Sequence, residues 1–184
     1  MPAIPLTRDE LEFVQELKDI GVLRKIRNFD DTYKGGFVFC VCGDCDRFPE
    51  LYRYQKNKCK EAGYPIRSHL IALNGGPLLI ANNSPLNTDG ESKIIKKHIA
   101  GAMQIKSIET IVAMFHWQCG AALNAGMSIE ETFACYYNGI QELQSAHPDA
   151  RIITKCHLHK PEEFSSYIIN MDRYQEVYRK TAAA

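Results

Sequence analysis

Long apolar runs are missing from this chain of 184 residues. No stretch approaches the roughly 20 apolar residues that a bilayer-spanning helix needs, which excludes a membrane-spanning reading. An excess of either charge sign is missing too, since 22 basic side chains balance 22 acidic ones. Nucleic acids and anionic membrane surfaces capture proteins through accumulated positive charge, so neither is an expected partner. Met1-Pro2-Ala3-Ile4-Pro5 lacks the basic segment and apolar stretch of a secretory signal, which sets a cytoplasmic expectation. The chain also lacks internal repeats and low-complexity linkers. No glycine-rich phosphate fingerprint follows its first strong strand candidate, where Cys42-Gly43-Asp44 stands instead, so a nucleotide-binding α/β protein is the weaker reading. What the chain has is cysteine: seven, an odd count, without an export signal. Reduced thiols serving as metal ligands or small core residues follow from that usage. Hydrophobic residues at 45% and charged residues at 24% are ordinary for a globular protein, and the length suits one domain over residues 1–184.

Strand and helix signals alternate. Thr7-Arg8-Asp9-Glu10 is a capping box, Leu11, Val14, Leu17 and Lys18 follow at helical spacing, and Gly21 is a stop signal; together they predict a helix over about residues 7–20. Gly36 to Val41, Ser68 to Leu73, Thr110 to Phe115 and Arg151 to Cys156 are short runs of strand-forming residues. Helices are predicted from Pro49 to about Ala62, from Glu91 to Ile105, and from the Ser128-Ile129-Glu130-Glu131 capping box to about Ala146. Asn74-Gly75-Gly76-Pro77 closes the second strand, and a C-terminal helical segment is predicted over about residues 161–180. This order implies a three-layer α/β domain with a mostly parallel sheet of at least four strands flanked by helices.

Two clusters of metal-ligating residues stand at the ends of the first and third predicted strands. One is Cys40-Val41-Cys42-Gly43-Asp44-Cys45-Asp46-Arg47, and the other is His116-Trp117-Gln118-Cys119-Gly120. Parallel sheets place their ligand sites at the carboxyl ends of strands. Thiolate and imidazole together favour zinc over magnesium or calcium. One thiolate of the first cluster with His116 and Cys119 makes three protein ligands, and an open fourth position separates catalytic zinc from structural zinc. Cys40, Cys42 and Cys45 all lie near enough to be that thiolate. Cys40 is deeper in the strand, where a small buried hydrophobe is the default; strand-end position favours Cys42, with Cys45 second. Cys59, Cys135 and Cys156 sit in helical or strand patterns as core or surface residues. Tyr52, Tyr54 and Tyr64 read as packing around the site loop, and Trp117 and Gln118 as packing between the ligands. His69 and His98 are candidate proton shuttles whose ordinary reading is surface or satisfied core. His157 and His159 flank Leu158 at a strand end, a candidate second metal site whose ordinary reading is solvent exposure.

The two clusters resemble those of the β-class carbonic anhydrases, which carry Cys-x-Asp-Ser-Arg after the first strand and His-x-x-Cys-Gly after the third. Cys42-Gly43-Asp44 and His116-Trp117-Gln118-Cys119-Gly120 match, and Asn74-Gly75-Gly76 is a weaker echo of the family's Asn-Ala-Gly turn. The resemblance spans roughly Phe37 to Ala122. It departs at Cys45 and Asp46, where the family has Ser and Arg; Arg47 comes one residue late, and Leu73 stands where the family has Arg before the turn. The resemblance implies zinc held by Cys42, His116 and Cys119. It implies hydration of carbon dioxide to bicarbonate by a zinc-bound hydroxide, with no organic cofactor and at least a homodimer. Asp44 would orient the nucleophile, with Arg47 as the cation that keeps the carboxylate off the metal. Without that cation Asp44 would close the site, leaving a non-catalytic zinc or thiol redox-sensing protein with Cys40 and Cys45 as reactive thiols. A third reading is a hydrolase of a carbon dioxide relative such as carbonyl sulfide or carbon disulfide.

Overall fold

The computed structural model describes residues 6–25, 35–43, 45, 48–63, 65, 67–159 and 164–178. In chain order the elements are α1 (Arg8–Asp19), β1 (Leu23–Lys25), β2 (Phe37–Cys42), α2 (Phe48–Glu61), β3 (Ser68–Leu73), a 3-10 turn (Gly76–Leu79), α3 (Glu91–Lys106), β4 (Thr110–Trp117), α4 (Gly120–Asn124), α5 (Ile129–Ala146), β5 (Arg151–His159), β6 (Phe164–Ile169) and α6 (Met171–Tyr178).

Every residue of β2 and β4 is buried. Strands covered on both faces must be apolar at both parities, which is why Phe37 to Cys42 shows no polar alternation. Phe37, Phe39 and Val41 of β2 pack with Val112 and Met114 of β4 against Phe48, Tyr52 and Cys59 of α2. On the opposite face Val38, Cys40 and Ile111 meet Ile95, Ile99 and Ala102 of α3. Further along that face Phe115 and Trp117 join Phe13, Val14 and Leu17 of α1 and Phe133, Tyr136 and Ile140 of α5. Helices therefore cover both faces of the sheet.

Six strands lie in the order β1-β6-β5-β4-β2-β3. The pairs β2–β3, β2–β4 and β4–β5 are parallel, while β5–β6 and β1–β6 are antiparallel. The chain runs from β2 outward to β3 and then crosses back to β4 on β2's other side. The carboxyl ends of β2 and β4 thus flank the point where strand order reverses, the place where open α/β sheets bind ligands.

Three local expectations change. Residues 161–180 are not one helix: Phe164–Ile169 forms β6, and the helix is confined to Met171–Tyr178. The physical reason is period two, with Tyr167 and Ile169 buried and Ile168 exposed. Leu23–Lys25 adds an edge strand paired with β6. In α1 the capping box is present, Thr7 Oγ1 accepting from Glu10 N at 3.3 Å and Glu10 Oε2 from Thr7 N at 2.7 Å. Its buried residues are Phe13, Val14 and Leu17, while Leu11 is exposed.

Candidate metal centre

Cys42 ends β2, His116 lies one residue from the end of β4, and Cys119 stands just before α4. Because β2 and β4 are parallel neighbours, with Val41 opposite Met114, their ends bring the two clusters side by side. Cys42 Sγ and Cys119 Sγ are 3.5 Å apart. One ligand atom from each of Cys42, His116 and Cys119 lies within 4.8 Å of the others, and all three residues are buried. His116 Nε2 is buried and makes no hydrogen bond. Such an atom costs free energy unless something coordinates it. Two thiolates at about 2.3 Å from one tetrahedral zinc would stand about 3.8 Å apart, close to the spacing between these sulfurs. Donor chemistry, spacing and the orphaned nitrogen fit a soft divalent cation.

Neighbouring groups prepare both thiols. The turn after β3 aims Gly75 N at Cys42 Sγ, 3.2 Å away. Gly75 and Gly76 both have positive φ, so this turn suits residues without a Cβ. The Cys119 thiol is held well below its ordinary value, chiefly by the hydrogen bond from Cys42; burial opposes this, and His116 and the Ala122 backbone assist it. A lowered thiol is a metal-ready thiolate. Trp117, the last residue of β4, is buried and donates from Nε1 to Glu10 Oε1 at 2.8 Å. The same Glu10 carboxylate completes the capping box, so the start of α1 is tied to the strand that carries His116. Trp117 is thus an anchor of the strand end, and Glu10, legible in the sequence only as a capping-box residue, positions it.

The other candidates fall elsewhere. Asp44, Asp46 and Arg47 lie outside the described residues, as does Tyr64. Cys45 is buried among Phe37, Phe39, Val41 and Met114 on the α2 face. Cys40 is buried in the α3-side core, and burial pushes its thiol up to about 12. Burial likewise raises the thiols of Cys59, Cys135 and Cys156. His69 pairs with Val38, four residues back from Cys42, or about 13 Å along the strand. His98 is exposed on α3. His157 corrects the expectation of exposure: it is buried opposite His116, with Nδ1 3.1 Å from Ser166 Oγ. Strand β6, which pairs alongside β5 and supplies that serine, was not legible in the sequence. Lys155 of β5 is also buried, only 3% exposed, a second polar residue that the pattern gave no reason to notice.

These features define a three-layer α/β protein with a mostly parallel sheet and a buried Cys-His-Cys cluster where two parallel strands end. No protein-family model matches the chain, and no curated protein matches it. Among solved structures it is similar to a carbonic anhydrase from Streptococcus mutans at 14% identity, covering 90% of this chain and 99% of that one with a TM-score of 0.44. It is similar to β-carbonic anhydrase isoform I of Trichomonas vaginalis at 15% identity, covering 90% and 99% with a TM-score of 0.38. The periplasmic domain of a lipopolysaccharide acetyltransferase from Salmonella ser. Paratyphi A matches at 15% identity over 80% of this chain and 57% of that one, with a TM-score of 0.41. At such values those names belong to those proteins, and the reading of this chain rests on its own residues. No helix among the described residues is long and apolar enough to cross a membrane.

Proposed function

We propose that the chain holds one zinc ion through Cys42, His116 and Cys119 and hydrates carbon dioxide to bicarbonate there. The observation that carries this reading is the convergence of two buried sulfurs 3.5 Å apart with a buried, unbonded imidazole nitrogen at the ends of adjacent parallel strands. The metal supplies Lewis acidity, which brings the pKa of water down toward about 7. The chain's own groups do the rest. The Gly75 N–H on Cys42 Sγ withdraws charge from that thiolate, and the Glu10–Trp117 bond fixes the strand end that presents His116. By the resemblance, Asp44 would accept a hydrogen from the attacking water and so direct its lone pair, and Arg47 would be the cation that holds the Asp44 carboxylate through charge-assisted bonds. The active assembly is at least a homodimer in a reducing, cytoplasmic setting, in keeping with seven free cysteines.

Stopped-flow carbon dioxide hydration on zinc-quantified protein, from about pH 7 to about pH 9, tests the reading. Hydration that rises with pH supports it; rates equal to buffer at every pH, with zinc bound, would refute it. Carbonyl sulfide and carbon disulfide assayed on the same protein separate the related hydrolase readings.

A non-catalytic, redox-active site is the second reading. The 3.5 Å approach of Cys42 and Cys119 favours it, because a short movement would bring two sulfurs to the about 2.05 Å of a disulfide. Cys40 does not belong to that redox set, since burial keeps its thiol protonated.

A further inference from the structure

At the opposite edge of the sheet from β3, Lys18 of α1 and Arg24 and Lys25 of β1 surround a cavity of about 550 Å³, whose remaining lining is Leu23 and Tyr167. The register accounts for Leu23, Lys25 and Tyr167, while Arg24 lies opposite Ile168 on the alternate parity. Leu23 lies opposite Ile169 and Lys25 opposite Tyr167, so Leu23 and Lys25 share the Tyr167 face of the sheet. Lys18 is half-buried, with its ammonium 5.1 Å from the centre of the Tyr167 ring. Tyr167 is 1% exposed, and its hydroxyl is buried without a hydrogen-bond partner. The cavity therefore has an apolar, aromatic floor and a rim of three cations.

Some cations among the described residues are paired, namely Arg8–Glu12, Lys96–Glu142 and Arg173–Glu176. Among the described residues, neither Lys18 nor Arg24 has a carboxylate partner. The acids beside Lys18 on α1 are engaged elsewhere: Glu16 accepts from Tyr178 Oη at 2.8 Å, and Asp19 from Gln15 Nε2 at 2.8 Å. Long basic side chains often lay their stems on apolar surface and hold their heads in water. That accounts for exposed Arg24 and Lys25, but not for an ammonium turned inward over a ring. With the chain's charges balanced overall at 22 and 22, the positive potential here is a local feature.

We propose that this cavity binds a small organic anion, its apolar body on Leu23 and Tyr167 and its carboxylate or phosphate among Lys18, Arg24 and Lys25. The volume falls within the roughly 300–1,000 Å³ of sites that bury small molecules. The site stands on its own observations and is independent of the metal reading.

Titration of the full-length protein with 8-anilinonaphthalene-1-sulfonate, followed by fluorescence, tests it; the neutral N-phenyl-1-naphthylamine is the control. The expected result is one saturable site for the anion that weakens as salt screens it. Lys18→Gln and Arg24→Gln should each weaken binding up to about tenfold, the loss expected of one charge-assisted contact. Competition by adenosine monophosphate against benzoate separates phosphate from carboxylate preference, and displacement by either supports the site. Arg24 is exposed, so its variant leaves the core intact and keeps the test decisive if Lys18→Gln is unstable. Equal anion affinity in wild type and Arg24→Gln, or neutral-probe binding as tight as the anion's, would overturn the proposal.

Discussion

Gly76 packs against the end of β2 so closely that a Cβ on it would lie 2.4 Å from Cys42 N and 2.6 Å from the Val41 carbonyl carbon. Its φ of +52° adds a conformation that L side chains rarely adopt. Gly76→Ala is expected to cost about 2–3 kcal/mol in thermal or urea unfolding and to lower metal occupancy, because the clash falls on the backbone of a candidate ligand. Gly101→Ala, in α3 with open space around it, is the matched control and should be neutral or stabilising. Equal stability of the two variants would contradict the close approach.

Metal analysis by mass spectrometry should find about one zinc per chain in wild type and little in Cys42→Ser, His116→Ala or Cys119→Ser. Cys45→Ser should keep its zinc, because Cys45 packs on the α2 face. Zinc lost from Cys45→Ser and kept in Cys42→Ser would move the first ligand.

The lowered Cys119 thiol sets a pH dependence for the metal-free protein. Its folded pKa lies below the ordinary 9.0, so between the two values the unfolded chain binds more protons. The Cys119 contribution is therefore fully present above 9.0 and is lost as pH falls through the lowered value. Urea midpoints of wild type and Cys119→Ser should diverge as pH rises toward 9.0. Cys40, raised to about 12, acts in the opposite sense and removes stability above 9.0, where only the unfolded chain loses that proton. A gap between the two proteins that narrows from acid to neutral pH would refute the assignment.

Trp117→Phe keeps an aromatic ring but removes the bond to Glu10. A loss of about 1.5–3 kcal/mol is expected, the range for a hydrogen bond to a charged acceptor. Glu10→Gln should lose less, since an amide oxygen still accepts. If both variants unfold like wild type, the tie between α1 and β4 carries no weight.

Asp44→Asn should keep zinc and lower carbon dioxide hydration by roughly 100-fold, the lower end for a lost proton-handling group. Arg47→Met should fall with it if Arg47 is the cation that holds Asp44. Unchanged hydration in Asp44→Asn would remove that carboxylate from the chemistry.

Strands buried on both faces were the easiest elements to read, because β2 and β4 have no polar parity to disguise them. The site could be anticipated for a related reason: its side chains end those strands, and strand ends are where the apolar pattern stops. Strand β1 escaped notice because three residues, two of them charged, show no period. Strand β6 was hidden because Ser165 and Ser166 interrupt its apolar run and nothing local reveals its partner. Burial of Lys155 and His157 could not be read, since both owe it to tertiary packing rather than to their neighbours in sequence.

The sulfurs of Cys42 and Cys119 touch across a sequence separation of 77 residues. Between them the chain runs through α2, β3 and α3 before it reaches β4. Closing a loop of that length costs entropy before the contact repays any of it, so the contact is expected to form late. Uptake of metal by a refolding chain would thus time the arrival of β4. A fragment ending before Thr110 would carry only one member of the Cys42, His116 and Cys119 trio, and no local segment could rehearse the site in isolation.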